Sequence, residues 1–180
     1  AWVVADTWVS ATGEQAGVWP VPLGDAGKLA DDPWTQRTFT AVRLVHELDG
    51  GGGWGNSWVK AHKDNAALAR PILELLDMPG LQVFKYWDER PQPVKAANPD
   101  VVSIVYSVAG RLAVAALTSY AAKEEDTAVT VDAKALGFRD GCMVVNVESA
   151  TELPVENGVV RLPLKKHELT VLRISPKGGQ

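Results

Sequence analysis

Cysteine is nearly absent from this sequence: Cys142 is the only one among 180 residues. A single cysteine cannot form a disulfide bond within the chain, and it argues strongly against a cysteine-based metal site. Cys142 lies in the apolar stretch CMVVNV, which is typical of a β-strand. Because a free cysteine behaves as a small hydrophobic side chain, we expect Cys142 to be buried and not to act as a nucleophile.

Clusters of basic residues and long apolar runs are also missing. The chain carries 18 Lys and Arg against 22 Asp and Glu, a net charge of −4, and its longest basic run is Lys165-Lys166. Nucleic-acid binding needs clustered Lys and Arg facing the phosphates, so no nucleic acid is expected as a partner. No stretch approaches the roughly 18 consecutive apolar residues of a membrane span, so no membrane partner is expected either.

The first residues lack the features of a signal peptide. AWVVADTW has neither a basic region nor a small-residue cleavage site, and an apolar run starts almost at once. We interpret residues 2–5 as a buried strand and expect the chain to begin inside a domain.

Tryptophan, by contrast, is plentiful but confined to one part of the chain. All seven tryptophans lie in the first 90 residues, where Pro and Gly also cluster at residues 17–33 and 50–55. This change of composition near residue 95 predicts two parts. The first is an α/β segment over residues 1–95, and the second is a β-rich domain over residues 96–180.

Two helices are predicted in the first part, after a loop over residues 9–31. Asp32 can cap the first helix, Pro33 fits its first helical position and Gly50 ends it. The second helix is predicted over residues 65–76. Pro71 is expected to kink or restart this helix, because proline lacks the backbone N–H.

The strand LQVFKYW, residues 81–87, completes a strand, helix and strand order in the first part. This order predicts a βαβ-type unit. One such unit cannot close a barrel, so we interpret residues 1–95 as the end of a larger (β/α)8-type barrel.

The second part consists of short apolar strands separated by turn signals, at roughly even spacing. This pattern predicts an antiparallel β-sandwich over residues 96–180. The predicted strands cover residues 101–108, 111–120, 127–133, 143–149, 158–164 and 168–175. KALGF, residues 134–138, is predicted as a single helical turn.

Three stretches carry a family resemblance: YWDERPQPVKAANPDVVSIVYSVAGRLAVAALTSY, TAVTVDAKALGF and LPVENGVVRLPLKKHELTVLRI. Residues 83–175 resemble the C-terminal region of large (β/α)8-barrel glycoside hydrolases, nearest to the family-123-type enzymes and their uncharacterised relatives. In such enzymes a last barrel strand ending in Tyr-Trp leads through an Asn-Pro-Asp segment into a sandwich.

The resemblance implies hydrolysis of a glycosidic bond, a glycan substrate, no cofactor and an extracellular or periplasmic location. In characterised members an adjacent Asp-Glu pair on a mid-barrel strand serves a substrate-assisted mechanism. The pair Asp88-Glu89 stands after the last strand, so the resemblance does not assign it that role. We therefore expect this chain alone to lack the catalytic pair and to need the N-terminal remainder of the same protein or a partner chain.

The end of the strand over residues 81–87 is the first candidate sugar site. Active sites of barrels lie at the carboxyl ends of the strands, which would place Tyr86, Trp87 and Asp88 near a cleft. Indole faces pack on the apolar faces of sugar rings, and a carboxylate accepts hydrogen bonds from hydroxyls. The alternative is that Trp87 fills the interface between two domains while Asp88 and Glu89 are solvated turn residues.

Two further tryptophan segments are candidate glycan contacts. Asp6 and Trp8 follow the first apolar run and could line the same barrel mouth, or they could cap a loop. Trp54 and Trp58 lie in the segment GGGGWGNSW, where they could contact a ligand or pack on the adjacent helix.

No histidine has a second metal ligand at useful spacing, so no metal site is expected at His62 or His167. His46 is expected to be half-exposed on its helix. Two other functions stay open: a non-catalytic carbohydrate-binding or interaction module that stands alone, and a purely structural sandwich domain.

Overall fold

The computed structural model describes residues 33–46 and 63–178. The helices are α1 (Pro33–Val45) and α2 (Lys63–Leu76). The strands are β1 (Leu81–Lys85), β2 (Val94–Ala96), β3 (Val101–Val108), β4 (Leu112–Ser119), β5 (Glu125–Val131), β6 (Cys142–Asn146), β7 (Thr151–Leu153), β8 (Val159–Leu164) and β9 (Leu169–Pro176).

Within the described residues the strands form two antiparallel sheets. The larger sheet has the order β1-β3-β4-β9-β6-β7, and the smaller sheet has the order β2-β5-β8. Every pairing between named strands is antiparallel. The predicted sandwich of antiparallel strands is confirmed.

The larger sheet is buried on both faces at its centre. One face, with Val105 and Ala115, packs against the smaller sheet across the sandwich core. The opposite face, with Ile104 and Ala116, packs under α1 and α2. Successive side chains of a strand point to opposite faces, so strands covered on both sides become continuous apolar runs. This explains why all eight residues of β4 are buried.

The strand predicted at residues 81–87 does not belong to a barrel. It ends at Lys85 and pairs antiparallel with β3, in the register Val83↔Tyr106, as an edge strand of the larger sheet. A short apolar run carries no information on whether its neighbour is parallel or antiparallel, and this caused the error. No (β/α)8 segment is present in residues 33–46 and 63–178.

The division of the chain at residue 95 stays a prediction. β1 precedes this position and pairs with β3, which follows it. β2 spans the position and pairs with β5. The strand predicted at residues 2–5 and the loop at residues 9–31 lie outside the described residues.

Local signals in the sequence account for the start of α1 and for the turn before β8, but not for the course of α2. α1 starts at Pro33 as predicted. α2 continues through Pro71 without the predicted restart. Asn157 and Gly158 both have positive φ, at 52° and 76°, and form the two-residue turn between β-bridged residues Glu156 and Val159. Asn-Gly is the sequence preferred in such turns because both positions tolerate this conformation.

Cys142 is buried in β6, as the apolar stretch around it predicted. Burial raises the pKa of its thiol, although the charge of Lys177 acts in the opposite direction. A thiol with a raised pKa is a weaker source of thiolate, which agrees with a packing role for Cys142.

Candidate functional site

The candidate site is a group of aromatic and histidine side chains at one end of the larger sheet, which we call the His46 cluster. Its members are Trp34, His46, Tyr86, Trp87, Tyr120 and His167. They come from α1, from the turn after β1, from the end of β4 and from the connection between β8 and β9. The sheet and α1 therefore hold in one place residues that are far apart in sequence.

His46 is the centre of this cluster and is only 3% exposed. Its Nε2 lies 2.8 Å from the Tyr120 hydroxyl, and its Nδ1 lies 3.2 Å from the Tyr86 hydroxyl. Both ring nitrogens of His46 thus have a tyrosine hydroxyl as hydrogen-bond partner, and the hydroxyls can donate or accept according to the state of the ring. These two bonds tie the end of α1 to β4 and to the turn after β1.

Tyr86 and Trp87 reach His46 together because β1 ends at Lys85. In a strand their side chains would point to opposite faces. They lie instead in a turn closed by the Asp88 N–H donating to the Lys85 carbonyl at 2.8 Å. The Trp87 ring stacks on the imidazole at a centroid distance of 6.2 Å, and Tyr86 meets Trp87 edge-on at 4.8 Å.

Asp88 is held by an ion pair beside this turn. Arg90 Nη2 donates to Asp88 Oδ2 at 2.6 Å, and the Lys85 N–H donates to the same oxygen at 3.2 Å. Burial acts to raise the pKa of Asp88, but these two hydrogen bonds and the nearby charges outweigh it and hold the pKa below 3.8. Asp88 is therefore an ionised acceptor at neutral pH, and a poor proton donor.

The residues after Asp88 also close the free edge of β1. Arg90 Nη2 donates to the Val83 carbonyl at 2.6 Å, and Gln92 Nε2 donates to the Lys85 carbonyl at 2.7 Å. Exposed edge strands pair readily with other chains, and side-chain caps of this kind prevent that. The stretch from Asp88 to Gln92 thus has a structural role whether or not it contacts a ligand.

The cluster reaches solvent at its other end through Trp34. Tyr120 meets the His167 ring edge-on at 6.1 Å, and His167 lies 5.6 Å from the Trp34 indole. Burial, together with the charge of Lys166, lowers the pKa of His167. Trp34 is 57% exposed.

An ion pair fixes α1 on the sheet next to this end. Arg37 makes two hydrogen bonds to the Glu148 carboxylate, at 2.6 and 2.7 Å, and donates to the Leu169 carbonyl at 2.7 Å. The hydrogen bond from Arg37 lowers the pKa of Glu148, with burial acting against it. Arg37 therefore joins α1 to the β6–β7 turn and to the start of β9.

The structure brings together three of the seven residues predicted from the sequence as sugar contacts, namely Tyr86, Trp87 and Asp88. Asp6, Trp8, Trp54 and Trp58 lie outside the described residues. A role in sugar binding stays a prediction for all seven.

Other cluster members were missed, and the expectation that His46 is half-exposed was wrong. His46 and Tyr120 each follow an apolar segment. Residues at such positions often carry a polar group at the edge of the hydrophobic core. Nothing in the apolar pattern of either segment indicates that the two segments end at the same place.

Metal-binding groups of side chains and membrane-spanning helices are both absent from residues 33–46 and 63–178. No group of three His, Cys, Asp or Glu side chains in this part of the chain could hold a metal ion. Neither α1 nor α2 combines the length and the apolar character that crossing a membrane requires.

Larger glycoside hydrolases of known structure contain the fold of this chain. A family-27 β-L-arabinopyranosidase from Geobacillus stearothermophilus matches with a TM-score of 0.54 and 16% identity, over 100% of this chain and 43% of that one. A variant of it in complex with arabinose gives 0.52 and 15%, over 98% and 43%. A proposed α-N-acetylgalactosaminidase from Bacillus halodurans gives 0.53 and 15%, over 98% and 45%.

No protein family and no curated protein matches the sequence. At 15–16% identity, the likeness to the solved structures shows the fold, which resembles the C-terminal β-domain of family-27 enzymes. Two of the matched structures are described as family-27 enzymes, and none is described as a family-123 enzyme. The chain spans less than half the length of these structures.

Proposed function

We propose that this chain is the C-terminal portion of a glycoside hydrolase, in which the sandwich supports a catalytic domain and the Tyr86–Trp87 end of the His46 cluster lines a sugar cleft. The observation that carries the proposal is the fold shared with the matched hydrolases over the whole chain. That end of the cluster carries the Trp87 indole, with the Asp88 carboxylate beside it, and both kinds of group contact sugars in proteins.

Within this proposal Trp87 and Tyr86 contact the sugar ring and Asp88 accepts hydrogen bonds from its hydroxyls. Asp88 is suited to this role because its ion pair with Arg90 keeps it ionised. It is unsuited to general acid catalysis, which needs a carboxylic acid with a raised pKa. Asp6, Trp8, Trp54 and Trp58 are proposed as further contacts.

The catalytic carboxylates are proposed to lie in the remaining part of a longer protein or on a partner chain. The chain matches only 43–45% of the length of the solved hydrolases. Hydrolysis by acid–base chemistry requires two carboxylates about 5–10 Å apart across the bond. Asp88 is engaged by Arg90 and Glu89 is exposed, so the pair does not present this arrangement.

The sugar class follows from the matched enzymes. One acts on β-L-arabinopyranosides and another is a proposed α-N-acetylgalactosaminidase. We propose a neutral pyranoside of this kind as the glycan.

Isothermal titration calorimetry with methyl β-L-arabinopyranoside, methyl N-acetyl-α-D-galactosaminide and methyl α-D-glucopyranoside tests this proposal on the whole chain. We expect saturable binding of at least one sugar, and a loss of about tenfold or more in affinity for Trp87→Ala. Met143→Ala is the matched control, because Met143 is an exposed apolar side chain on β6. Absence of binding to every sugar, or equal losses in both variants, would refute the proposed site.

A second candidate function is a stand-alone carbohydrate-binding or interaction module. It is favoured by the sandwich core, to which both sheets and their connections contribute buried side chains within the described residues. This module would bind glycans in the same calorimetric test. The mass of the native particle distinguishes the stand-alone module from a portion of a larger hydrolase.

A further inference from the structure

Trp34 is unusually exposed for a tryptophan. Among the large apolar side chains of the described residues, Trp34 is 57% exposed, whereas Leu76, Met143 and Leu73 are 40%, 37% and 36% exposed. An indole on a protein surface is costly unless it serves an interaction, and large exposed aromatic groups are frequent at binding sites. Trp34 lies in the first turn of α1, at the end of the His46 cluster opposite Tyr86 and Trp87.

The residue beside Trp34 has an unusual backbone conformation. His167 has a φ of 59°, in the left-handed region that residues other than glycine adopt rarely. Strained conformations of this kind cluster at functional sites. The connection is held by the His167 N–H donating to the Ser119 carbonyl at 2.6 Å and by Lys165 N–H donating to Glu168 Oε2 at 2.9 Å.

The chemistry of the pair fits a sugar ring. The pKa of His167 lies below 6.5 because burial and the charge of Lys166 disfavour the protonated form. Nδ1 of His167 is buried, so the imidazole can meet a ligand only through Nε2, and a neutral Nε2 suits a sugar hydroxyl because a hydroxyl can both donate and accept. The face of an indole suits the apolar face of a pyranose, and no charged ligand is required.

We propose that Trp34 and His167 form a second contact site for a neutral pyranose, separate from the one proposed at Tyr86 and Trp87. The indole packs on the ring of the sugar, and His167 hydrogen-bonds its hydroxyls. The chain of rings through Tyr120 and His46 joins the two sites, so both lie along the same end of the larger sheet. This inference rests on the proposed glycan-binding function.

Nuclear magnetic resonance of the ¹⁵N-labelled chain tests it directly, because each tryptophan contributes one indole N–H signal. The Trp34 and Trp87 signals are assigned by their disappearance in Trp34→Ala and Trp87→Ala. The chain is titrated with the three methyl glycosides named above. We expect the Trp34 signal to shift in a saturable way, and Trp34→Ala to weaken binding at this site about tenfold or more.

Matched variants separate binding from folding. Trp34→Phe keeps a ring and should retain affinity within about threefold, and His167→Gly keeps the left-handed backbone while removing the imidazole, which should weaken binding about tenfold. Leu73→Ala, at another exposed apolar position, should change nothing. The folded state of every variant is checked by its amide spectrum.

Three results are distinguishable. A saturable Trp34 shift that His167→Gly weakens supports the second site. A shift of the Trp87 signal alone, with Trp34→Ala binding as tightly as the unmodified chain, overturns the second site and leaves the proposed function intact. If no indole signal shifts with any sugar, the proposed glycan-binding function fails, and the second site fails with it.

Discussion

At the scale of single residues, the His46 cluster depends on hydrogen bonds that join three elements. The two ring nitrogens of His46 contact the hydroxyls of Tyr86 and Tyr120, and the imidazole is buried. A net hydrogen bond in a protein is worth about 1 kcal/mol, and loss of a partner at a buried polar group costs about 1–3 kcal/mol. The cluster therefore contributes to stability as well as to the proposed site.

Tyr120→Phe removes the shorter of the two hydrogen bonds to His46 while keeping the ring. We expect the free energy of unfolding to fall by about 1 kcal/mol. In a His46→Ala background, Tyr120→Phe should lower the free energy of unfolding by at least about 0.5 kcal/mol less, because the imidazole that bonds to the Tyr120 hydroxyl is already missing. Urea unfolding of the four proteins measures both values. Equal costs in the two backgrounds would mean that the bond contributes nothing to stability.

The Arg37–Glu148 ion pair makes the stability of the folded chain depend on pH in the acidic range. Because the pKa of Glu148 is lowered in the folded chain, its stabilising effect is fully present above 4.5, the ordinary pKa, and is lost as pH falls through the lower folded value. Glu148→Gln should therefore destabilise the chain at neutral pH, by under about 1 kcal/mol because the pair is partly exposed.

The difference between Glu148→Gln and the unmodified chain should shrink as the pH falls below 4.5 and vanish once the pH lies below the folded pKa of Glu148. Thermal unfolding across this pH range measures it, with Glu74→Gln on α2 as a control in an exposed ion pair. A difference that is constant with pH would show that the Arg37–Glu148 pair does not control the titration of Glu148.

At the scale of elements, the approach of two glycines fixes the β3–β4 hairpin against the turn before β6. The Gly110 N–H donates to the Leu136 carbonyl at 2.9 Å. A Cβ atom on Gly137 would lie 2.7 Å from the Gly110 backbone nitrogen, and Gly137 has a φ of 77°. A side chain at Gly137 would be strained by its conformation and would also collide with the hairpin.

Gly141→Ala is the matched control for Gly137→Ala. Gly141 also has a positive φ, of 87°, but a Cβ atom added to it would meet no atom within 4 Å. Each alanine should cost about 1 kcal/mol for its positive φ. The collision should make Gly137→Ala at least about 1 kcal/mol worse than Gly141→Ala. Urea unfolding compares them, and equal losses would contradict the close packing of Gly110 and Gly137.

Strand positions could be predicted from apolar patterns, but strand partners could not. The run VVSIVYSV predicted β3 to the residue because both faces of the larger sheet are buried. β2 and β7 were missed because three residues are too few to show a pattern. The antiparallel pairing of β1 depends on contacts with β3 across about 20 residues of chain, which periodicity does not encode.

The candidate site was predictable only in part, for the same reason. Tyr86, Trp87 and Asp88 are neighbours in sequence, so a strand end sufficed to single them out. His46 lies 40 residues from Tyr86 and 74 from Tyr120, and only the packing of α1 on the larger sheet joins them. The pairing of Trp34 with His167 depends on the same packing.

At the scale of the whole molecule, we propose that these residues form the supporting, sugar-contacting portion of a larger hydrolase. The sandwich and its two helices provide rigid support for the His46 cluster, and the catalytic carboxylates are assigned to other residues. This assignment separates the proposed function from that of a stand-alone module, which would be complete without any further polypeptide.

The most direct measurement is the native mass of the particle that contains these residues, purified from its source, combined with denaturing mass spectrometry of its chains. We expect a particle with substantially more polypeptide than these 180 residues, as one longer chain or a second chain, and with pyranosidase activity in the intact particle. A particle made of this chain alone, folding cooperatively and binding glycans without hydrolysing them, would refute the hydrolase proposal and favour the stand-alone module.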